Sequence, residues 1–428
     1  MYIKTVLIYF GSILAGILIF LVAILVRFHS AILKNNSTEP RLVWGSTPIL
    51  NFSIWSRIMT KADRSSYTMV SHYYEAINTP SDWDLIAIRD LAWLPKMARP
   101  VIAFILGLLR GDIFVISFDG FFLGNSPLSS MQAFFFKTAG KKIVVIPYGS
   151  DAYVYNKVRS TSLQHALMIS YPEHARRQHD IQKNVKYWSA NADLVIPGMM
   201  GFDGIGRWDV LAPSVLSLDL DLWKKSTKVQ AADGTNGEVN IVHAPNHRGF
   251  KGSEFIQSVI ESLKEKGLKI NYILLEKIQN EDVRKILRTQ ADILIEQIVY
   301  IGHGLNGLEG MASGIPTISN LSNKDYTEPM EQWSFLGECP LVSSNFDTLE
   351  ENLELLVRNP SLRRVIGDRS RLYVEKYHGS DATQFLFEKI IEHFEGKSIN
   401  LIGLFHPLSG VYKKDQPKIC NSWKSQFK

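Results

Sequence analysis

The sequence predicts an α/β protein: two doubly wound parallel-sheet units facing a cleft, preceded by one membrane-spanning helix. Short apolar runs rich in β-branched residues alternate with amphipathic helices on both sides of the midpoint. That is the pattern of parallel strands joined by right-handed crossovers. At 428 residues the chain has room for two such units. An uncharged apolar stretch, residues 6–26, opens it.

That stretch is long enough, at about twenty residues, to cross a bilayer core as a helix. It exceeds the apolar region of a signal peptide, and no small-x-small cleavage site follows it. Residues 1–30 are therefore expected to be a retained, single-pass anchor. Lys4 and the amino group lie on one flank; Arg27, Lys34 and Arg41 lie on the other. The positive-inside rule then puts the body of the protein in the cytosol. Sequons at Asn35, Asn36, Asn51 and Asn320 are short enough to recur by chance and do not argue for a lumenal side. A second apolar run, residues 101–109, is too short to span. It reads as a buried helix, or alternatively as one that grazes the membrane beside Trp93 and Lys96.

With 46% hydrophobic and 11% aromatic residues the chain can bury an ample core. Its formal charge of +5 suits an anionic substrate or lipid headgroups. Zinc spacings, RNA-stacking signatures and basic recognition helices are missing, so nucleic acid is not an expected partner. Two cysteines, Cys339 and Cys420, cannot build a disulfide framework and favour a reducing compartment.

In the first unit, residues 40–230, residues 41–45 read as a strand with a turn and a helix from about Asn51. Gly45 directly after that strand would let a ligand approach the backbone, although a tight turn needs glycine as well. Further strands are expected at 67–71, 84–88, 113–118, 142–147 and 194–197, with helices at 96–109 and 129–139. Tyr148-Gly149-Ser150-Asp151 lies beyond the carboxyl end of a strand, where such sheets bind ligands. Asp151 reads equally as a helix cap or as a site residue. Polar residues 230–238, with two glycines, form the linker.

The second unit, residues 238–378, opens with a strand at 239–242 and a basic loop, 243–252. A helix at 253–266, strands at 270–275 and 293–295, a helix at 281–288 and a strand at 317–319 follow. Residues 302–313 are a glycine-punctuated loop running into a short helix. A helix at 379–396 is expected to pack back on the first unit, ahead of a tail, 397–428.

Backbone amides in a loop of this kind, added to the positive end of a helix, make an anion site that needs no metal. Gly302, Gly304, Gly307 and the amides through Leu308 would cradle a phosphate there. Lys251 and Arg248 would supply fixed positive charge, with His247 in the same loop. That is how a protein holds the diphosphate of an activated sugar. His243, His247 and His303 have no carboxylate or cysteine companions at ligand spacing, so no metal is expected. His303 would instead meet donor phosphate or sugar.

The loop HRGFKG and the run Glu309-Gly310-Met311-Ala312-Ser313-Gly314-Ile315-Pro316, set in two successive Rossmann-like halves, resemble GT-B glycosyltransferases of the family-4-like retaining branch. The resemblance spans roughly residues 40–395. It implies a donor diphosphate held by Arg248 and Lys251, a nucleotide ribose held by Glu309, and retention of anomeric configuration. The chain departs from the pattern at two places. Ile301 stands where the branch often has a second glutamate, with Glu296 and Gln297 nearby as substitutes. Tyr148 stands where it often has histidine.

The expected activity is transfer of a sugar from a nucleotide-diphospho-sugar to a glycan or lipid-linked acceptor. No separate cofactor is expected. Lys251, Arg248, Asp151 and Tyr148 would carry catalysis. Gly45, His247, Glu296, Gly302, His303, Gly304, Gly307, Leu308 and Glu309 would bind the donor. A sugar-nucleotide epimerase, or a non-catalytic nucleotide-binding membrane protein, are the alternatives.

Overall fold

The computed structural model describes residues 2–33, 39–75, 79–198, 203–333 and 335–420. Lys34 and the sequons at Asn35 and Asn36 lie outside them, as do the last eight residues of the tail and the side chain of Lys4. The chain opens with a long helix, α1 (Tyr2–Leu33), within which residues Ile8–Ser30 are apolar and long enough to cross a membrane.

The first parallel sheet is built from β1 (Leu42–Ser46), β2 (Ser66–Val70), β3 (Leu85–Ile86), β4 (Ile113–Ile116), β5 (Lys142–Val145) and β6 (Leu194–Val195). Its order is β3-β2-β1-β4-β5-β6, so the chain reverses direction across the sheet between β1 and β4. Helices α2 (Leu50–Lys61), α3 (Ala87–Asp90), α4 (Ala98–Arg110) and α5 (Gln132–Thr138) make the first crossovers. Three more, α6 (Thr161–Ser170), α7 (Pro172–Arg176) and α8 (Gln178–Asn191), fill the stretch before β6.

The second sheet comprises β7 (Val239–His243), β8 (Ile270–Leu274), β9 (Ile293–Ile295), β10 (Thr317–Ser319) and β11 (Val342–Ser343), in the order β11-β10-β9-β7-β8. Its helices are α9 (Arg248–Lys251), α10 (Ser253–Glu265), α11 (Asn280–Thr289), α12 (Leu305–Ala312), α13 (Lys324–Trp333), α14 (Leu349–Arg358) and α15 (Pro360–Tyr377). The last helix, α16 (Ser380–Phe394), crosses to the first sheet. Phe387 meets Trp44 edge-on at 4.7 Å, and Glu388 pairs with Arg64 at 2.6 Å.

Central strands such as β4 and β9 are covered on both faces and are apolar throughout, whereas β2, β7 and β10 carry polar residues and the edge strand β8 is only half-buried. In β1, Leu42 and Trp44 face a core shared with α2 and α16, whereas Val43 faces one shared with α4 and α5. Helix α1 joins that second core through Ile19, Ala23 and Val26, spaced four and three apart on one stripe. The run 101–109 is thus a helix packed between the sheet and α1, with Phe104 and Leu108 fully buried.

Several local expectations are corrected. Residues 84–88 give only a two-residue strand, because Asp90 Oδ2 accepts from Ile86 N at 2.7 Å and starts a helix. The basic loop 243–252 winds into α9 before Gly252 turns the chain, at φ +82°, into α10. Its Cβ-free backbone lies against Ile298, where a side chain would collide at 2.6 Å. The linker is held down: buried Arg363 donates to Gln230 Oε1 (2.7 Å) and to Ala232 O. Within the tail, Leu401, Leu404 and Phe405 are buried. The sequons Asn51 and Asn320 are buried too, donating to Ser217 O and Ile298 O.

Candidate functional site

In the second sheet β7 and β9 are neighbours although β8 lies between them in sequence. The loops leaving their carboxyl ends therefore diverge and leave a crevice, the usual ligand position in an open α/β sheet. Lys251, from the loop after β7, and Glu296, directly after β9, meet there. Lys251 Nζ lies 3.5 Å from Glu296 Oε1 and donates to Gln297 Oε1, while Gln297 Nε2 donates to Gly302 O at 2.9 Å. Gly304 N donates to the same Glu296 oxygen at 2.7 Å. The carboxylate thus sits over the start of α12, where the helix dipole and the amides of the first turn favour an anion.

This arrangement changes the reading of the glycines. A Cβ at Gly307 would lie 2.2 Å from Glu296 Oε2, and one at Gly304 would lie 3.0 Å from Oε1. What approaches these glycines closely is a carboxylate of the chain itself, not a phosphate. Gly302, at φ +100°, turns the backbone and ties it to β10 through Asn320 O (2.7 Å). The Leu308 amide is used within the helix, on Gly304 O, and its side chain is in the core. It is not free to bind a ligand.

Arg248 and Lys251 do not form one cationic pair. The Arg248 guanidinium turns to Glu254 (2.8 Å) and Glu276 (3.2 Å), which hold its pKa above the usual value. His247, half-buried, lies with its ring 4.3 Å from that of Tyr171, a contact between the two units. Burial, and then Lys251, lower its pKa. His243 is fully engaged, with Ile295 O at 2.7 Å and Ser253 Oγ at 2.8 Å, and burial pulls its pKa down to about 4.

Glu309 is buried on α12. Its two oxygens accept from Asn280 Nδ2 and Asn306 Nδ2, each at 3.1 Å, and burial pushes its pKa up to about 7. Around the start of α12, several buried polar atoms meet no hydrogen-bond partner among the described residues: Glu296 Oε2, both ring nitrogens of His303, and Asn306 Oδ1. His303 stacks edge-on at 5.6 Å against His378, whose Nε2 is also unpartnered. Burial lowers the pKa of both rings, that of His378 to about 3. His378 in turn binds the end of the first unit, its ring on Leu216 O (2.7 Å) and its carbonyl accepting from Leu218 N (2.9 Å).

On the first sheet, Asp151 is buried beyond β4 and β5. Its carboxylate accepts from the amides of Phe118, Tyr148 and Gly149, all at 3.0 Å. Burial and neighbouring Asp119 raise its pKa against those three bonds. Tyr148 Oη donates to Asp119 Oδ2 at 2.8 Å; burial, then Asp151 and Asp119, raise its pKa. Gly45 is not drawn into either cluster. A Cβ there would sit 1.8 Å from Met69 O, so the neighbouring strand, not a ligand, requires glycine.

Asp119, Asn280, Asn306 and His378 are additions to the residues singled out by sequence. Asp119 carried a usable signal, its place just past the end of a parallel strand. Asn306 carried one too, its place in the first turn of α12, whereas Asn280 and His378 carried none, since only the tertiary fold brings them there. Among the described residues, no three His, Cys, Asp or Glu side chains are grouped to hold a metal ion.

No protein-family model matches the chain, and no curated protein matches it by sequence. Solved structures do. The chain is similar to sucrose-phosphate synthase from Thermosynechococcus elongatus, at 14% identity and a TM-score of 0.52, over 84% of this chain and 100% of that one. It also matches an O-GlcNAc transferase variant from Thermobaculum terrenum (13%, TM-score 0.48, 84% and 67% covered). A third match is a putative UDP-N-acetylglucosamine 2-epimerase from Listeria monocytogenes (13%, TM-score 0.44, 84% and 98% covered). The first likeness, taken with the two parallel sheets, establishes the GT-B fold.

Proposed function

We propose that the chain is a membrane-anchored glycosyltransferase, moving a sugar from a nucleotide-diphospho-sugar to a glycan or lipid-linked acceptor on the cytosolic face. The second unit, residues 238–378, holds the donor; the first, residues 40–230, faces the acceptor. Residues 1–30 anchor it. The observation that carries this reading is the group of unpartnered buried polar atoms at the crevice between β7 and β9. Each such atom costs about 1–3 kcal/mol if left unpaired. Sugar hydroxyls, which both donate and accept, are the complement of Glu296 Oε2, Asn306 Oδ1 and the ring nitrogens of His303. Glu309, with Asn280 and Asn306, then faces the ribose.

In the reaction the acceptor oxygen bonds to the anomeric carbon. The bond from that carbon to the diphosphate breaks, and its electron pair leaves with the nucleoside diphosphate. The acceptor proton passes to a departing phosphate oxygen, giving retention, as the sequence resemblance implies. Lys251 stabilises the charge that grows on the leaving oxygen, in a site organised beforehand. Arg248, Asp151 and Tyr148 shape the two walls of the cleft, and no metal is required.

The test is thermal stabilisation of the full chain in detergent across a panel of nucleotide sugars, because a ligand of the native state raises the melting temperature by mass action. Stabilisation by one donor, lost in Lys251→Met, supports the reading. A flat response to every donor refutes it. Conversion of the free donor without an acceptor would identify an epimerase instead.

A further inference from the structure

The anchor is not a free stalk. Positions 8–18 of α1 include no buried residue, and this arm rises only about 16 Å, against about 30 Å of hydrocarbon. To cross, α1 must also immerse the stretch from Ile19 to Val26 that is docked on the first unit. Helix α5 goes in with it. Phe134 of α5 stacks on Phe20 at 5.7 Å, with its ring planes 12° apart, yet stays 48% exposed. Leu128, just before α5, closes on Gly16, where a Cβ would be 3.3 Å away.

Immediately behind this immersed corner is a cavity of about 320 Å³. Ser129 and Ser130 line it, between Leu128 and Phe134, which both touch α1. So do Lys183 and Lys186 of α8, both exposed, together with Trp188 and Asp119. Its walls are braced: Ala133 N donates to Tyr187 Oη at 2.9 Å, and Phe121 N donates to Gln132 Oε1 at 2.8 Å. At the cavity's cleft side Asp119 accepts from Tyr148. Between the two units, Tyr171 meets His247 of the segment that carries Lys251.

We propose that this cavity receives the phosphorylated head of a lipid-linked acceptor, with the lipid chain lying in the bilayer along α1 and α5. Two ammonium groups and two hydroxyls suit a phosphate. Asn184 and Asn191, which also line the cavity, can meet the hydroxyls of the attached sugar. The inference rests on the proposed transferase activity and names its acceptor class.

The test uses the full chain in phosphatidylcholine nanodiscs carrying a trace of diazirine-bearing phosphatidic acid, with crosslinks mapped by mass spectrometry. Crosslinks are expected on α1 and on residues 129–134 and 183–191. Lys183→Ala with Lys186→Ala should cut the cavity crosslinks about tenfold, as loss of two charge-assisted contacts requires, and leave those on α1 unchanged. Lys264→Ala, on the distant helix α10, should change neither. If α1 is labelled and the cavity is not, the acceptor site is refuted and the anchor stands. If α1 escapes labelling, both fall. Displacement of the cavity label by millimolar inorganic phosphate would assign the site to a soluble anion and overturn the lipid source. Nucleotide-sugar stabilisation in the same discs reports the donor reading separately.

Discussion

Replacing Lys251 with methionine keeps the apolar stem and removes one charge from a pair whose other member, Glu296, has a fully buried side chain. Two unit charges 3.5 Å apart attract by about 5 kcal/mol at an effective dielectric near 20. Removing one partner of a buried pair typically costs about 3–5 kcal/mol, because the other is left uncompensated. Lys251 keeps 12% of its side-chain surface in solvent, so the lower end, about 3 kcal/mol, applies. For a domain of roughly 150–250 residues that lowers the melting temperature by about 6–12 °C. Glu296→Gln retains an oxygen for the Gly304 amide and should cost far less. The double variant should therefore melt within a few degrees of Glu296→Gln alone, giving a coupling of about 2–3 kcal/mol in the cycle. Circular dichroism melts of the four proteins in one buffer measure it. Equal destabilisation by Lys251→Met with and without the Glu296 change would mean that the pair contributes nothing. The account of the start of α12 as an internally neutralised anion site would then be wrong.

Gly307→Ala should gain about 1 kcal/mol of helix propensity but set a methyl 2.2 Å from Glu296 Oε2. A lower melting temperature and loss of nucleotide-sugar stabilisation are expected, and a stabilised, donor-responsive variant would disprove the close approach. His378 is buried neutral, its pKa depressed to about 3 by burial and His303. The unfolded chain takes up its proton below about pH 6.5 while the folded one does not. The contribution of His378 is therefore complete above that pH and falls as pH drops toward 3, by about 2 kcal/mol at pH 5. Denaturant titrations should show His378→Asn flattening this slope; an unchanged slope would place its source elsewhere. Glu309 has the opposite sign. Burial raises its pKa to about 7, so the folded state binds the proton more tightly and loses stability as pH rises from about 4.5 to 7. Glu309→Gln should melt higher than the native chain at pH 8 and not at pH 4, while giving up donor stabilisation. A variant that melts lower at pH 8 would refute the sign.

The fold was legible where periodicity and position coincide. The strands from Leu42 to Ile318 appear as apolar runs because the central ones are covered on both faces, and the long apolar start of α1 is legible by composition alone. The helices between Thr161 and Asn191 were not legible. Pro172 and the turn at Arg177 cut them into pieces of ten, five and fourteen residues, too short for a clear period. The stripes are short, Leu163, Ala166 and Leu167 on α6 and Ile181, Val185 and Trp188 on α8. The same limit applies to the site. Lys251 and Glu296 are separated by two crossovers, and the sequence cannot say that Arg248, three residues from Lys251, turns away to Glu254 and Glu276.

The two departures from the family pattern look different in three dimensions. Ile301 is buried beside β10, where its backbone bridges to Asn320, and a carboxylate there would have to enter the core. Glu296 instead rises from the end of β9 and reaches the start of α12, eight residues ahead, through Gly304 N. A carboxylate is thus delivered to the crevice along a strand rather than along a loop. The path requires glycine at 304 and 307 to admit it, and Lys251 to balance it. Tyr148 is likewise oriented: its hydroxyl is fixed on Asp119, while Asp151 gathers the amides of both loops beneath it. These substitutions come as sets, Glu296 with two glycines and a lysine, Tyr148 with two aspartates. On the proposed transferase reading, the crevice thus has its own lysine-balanced carboxylate, and recognition of the sugar there should differ from the family pattern.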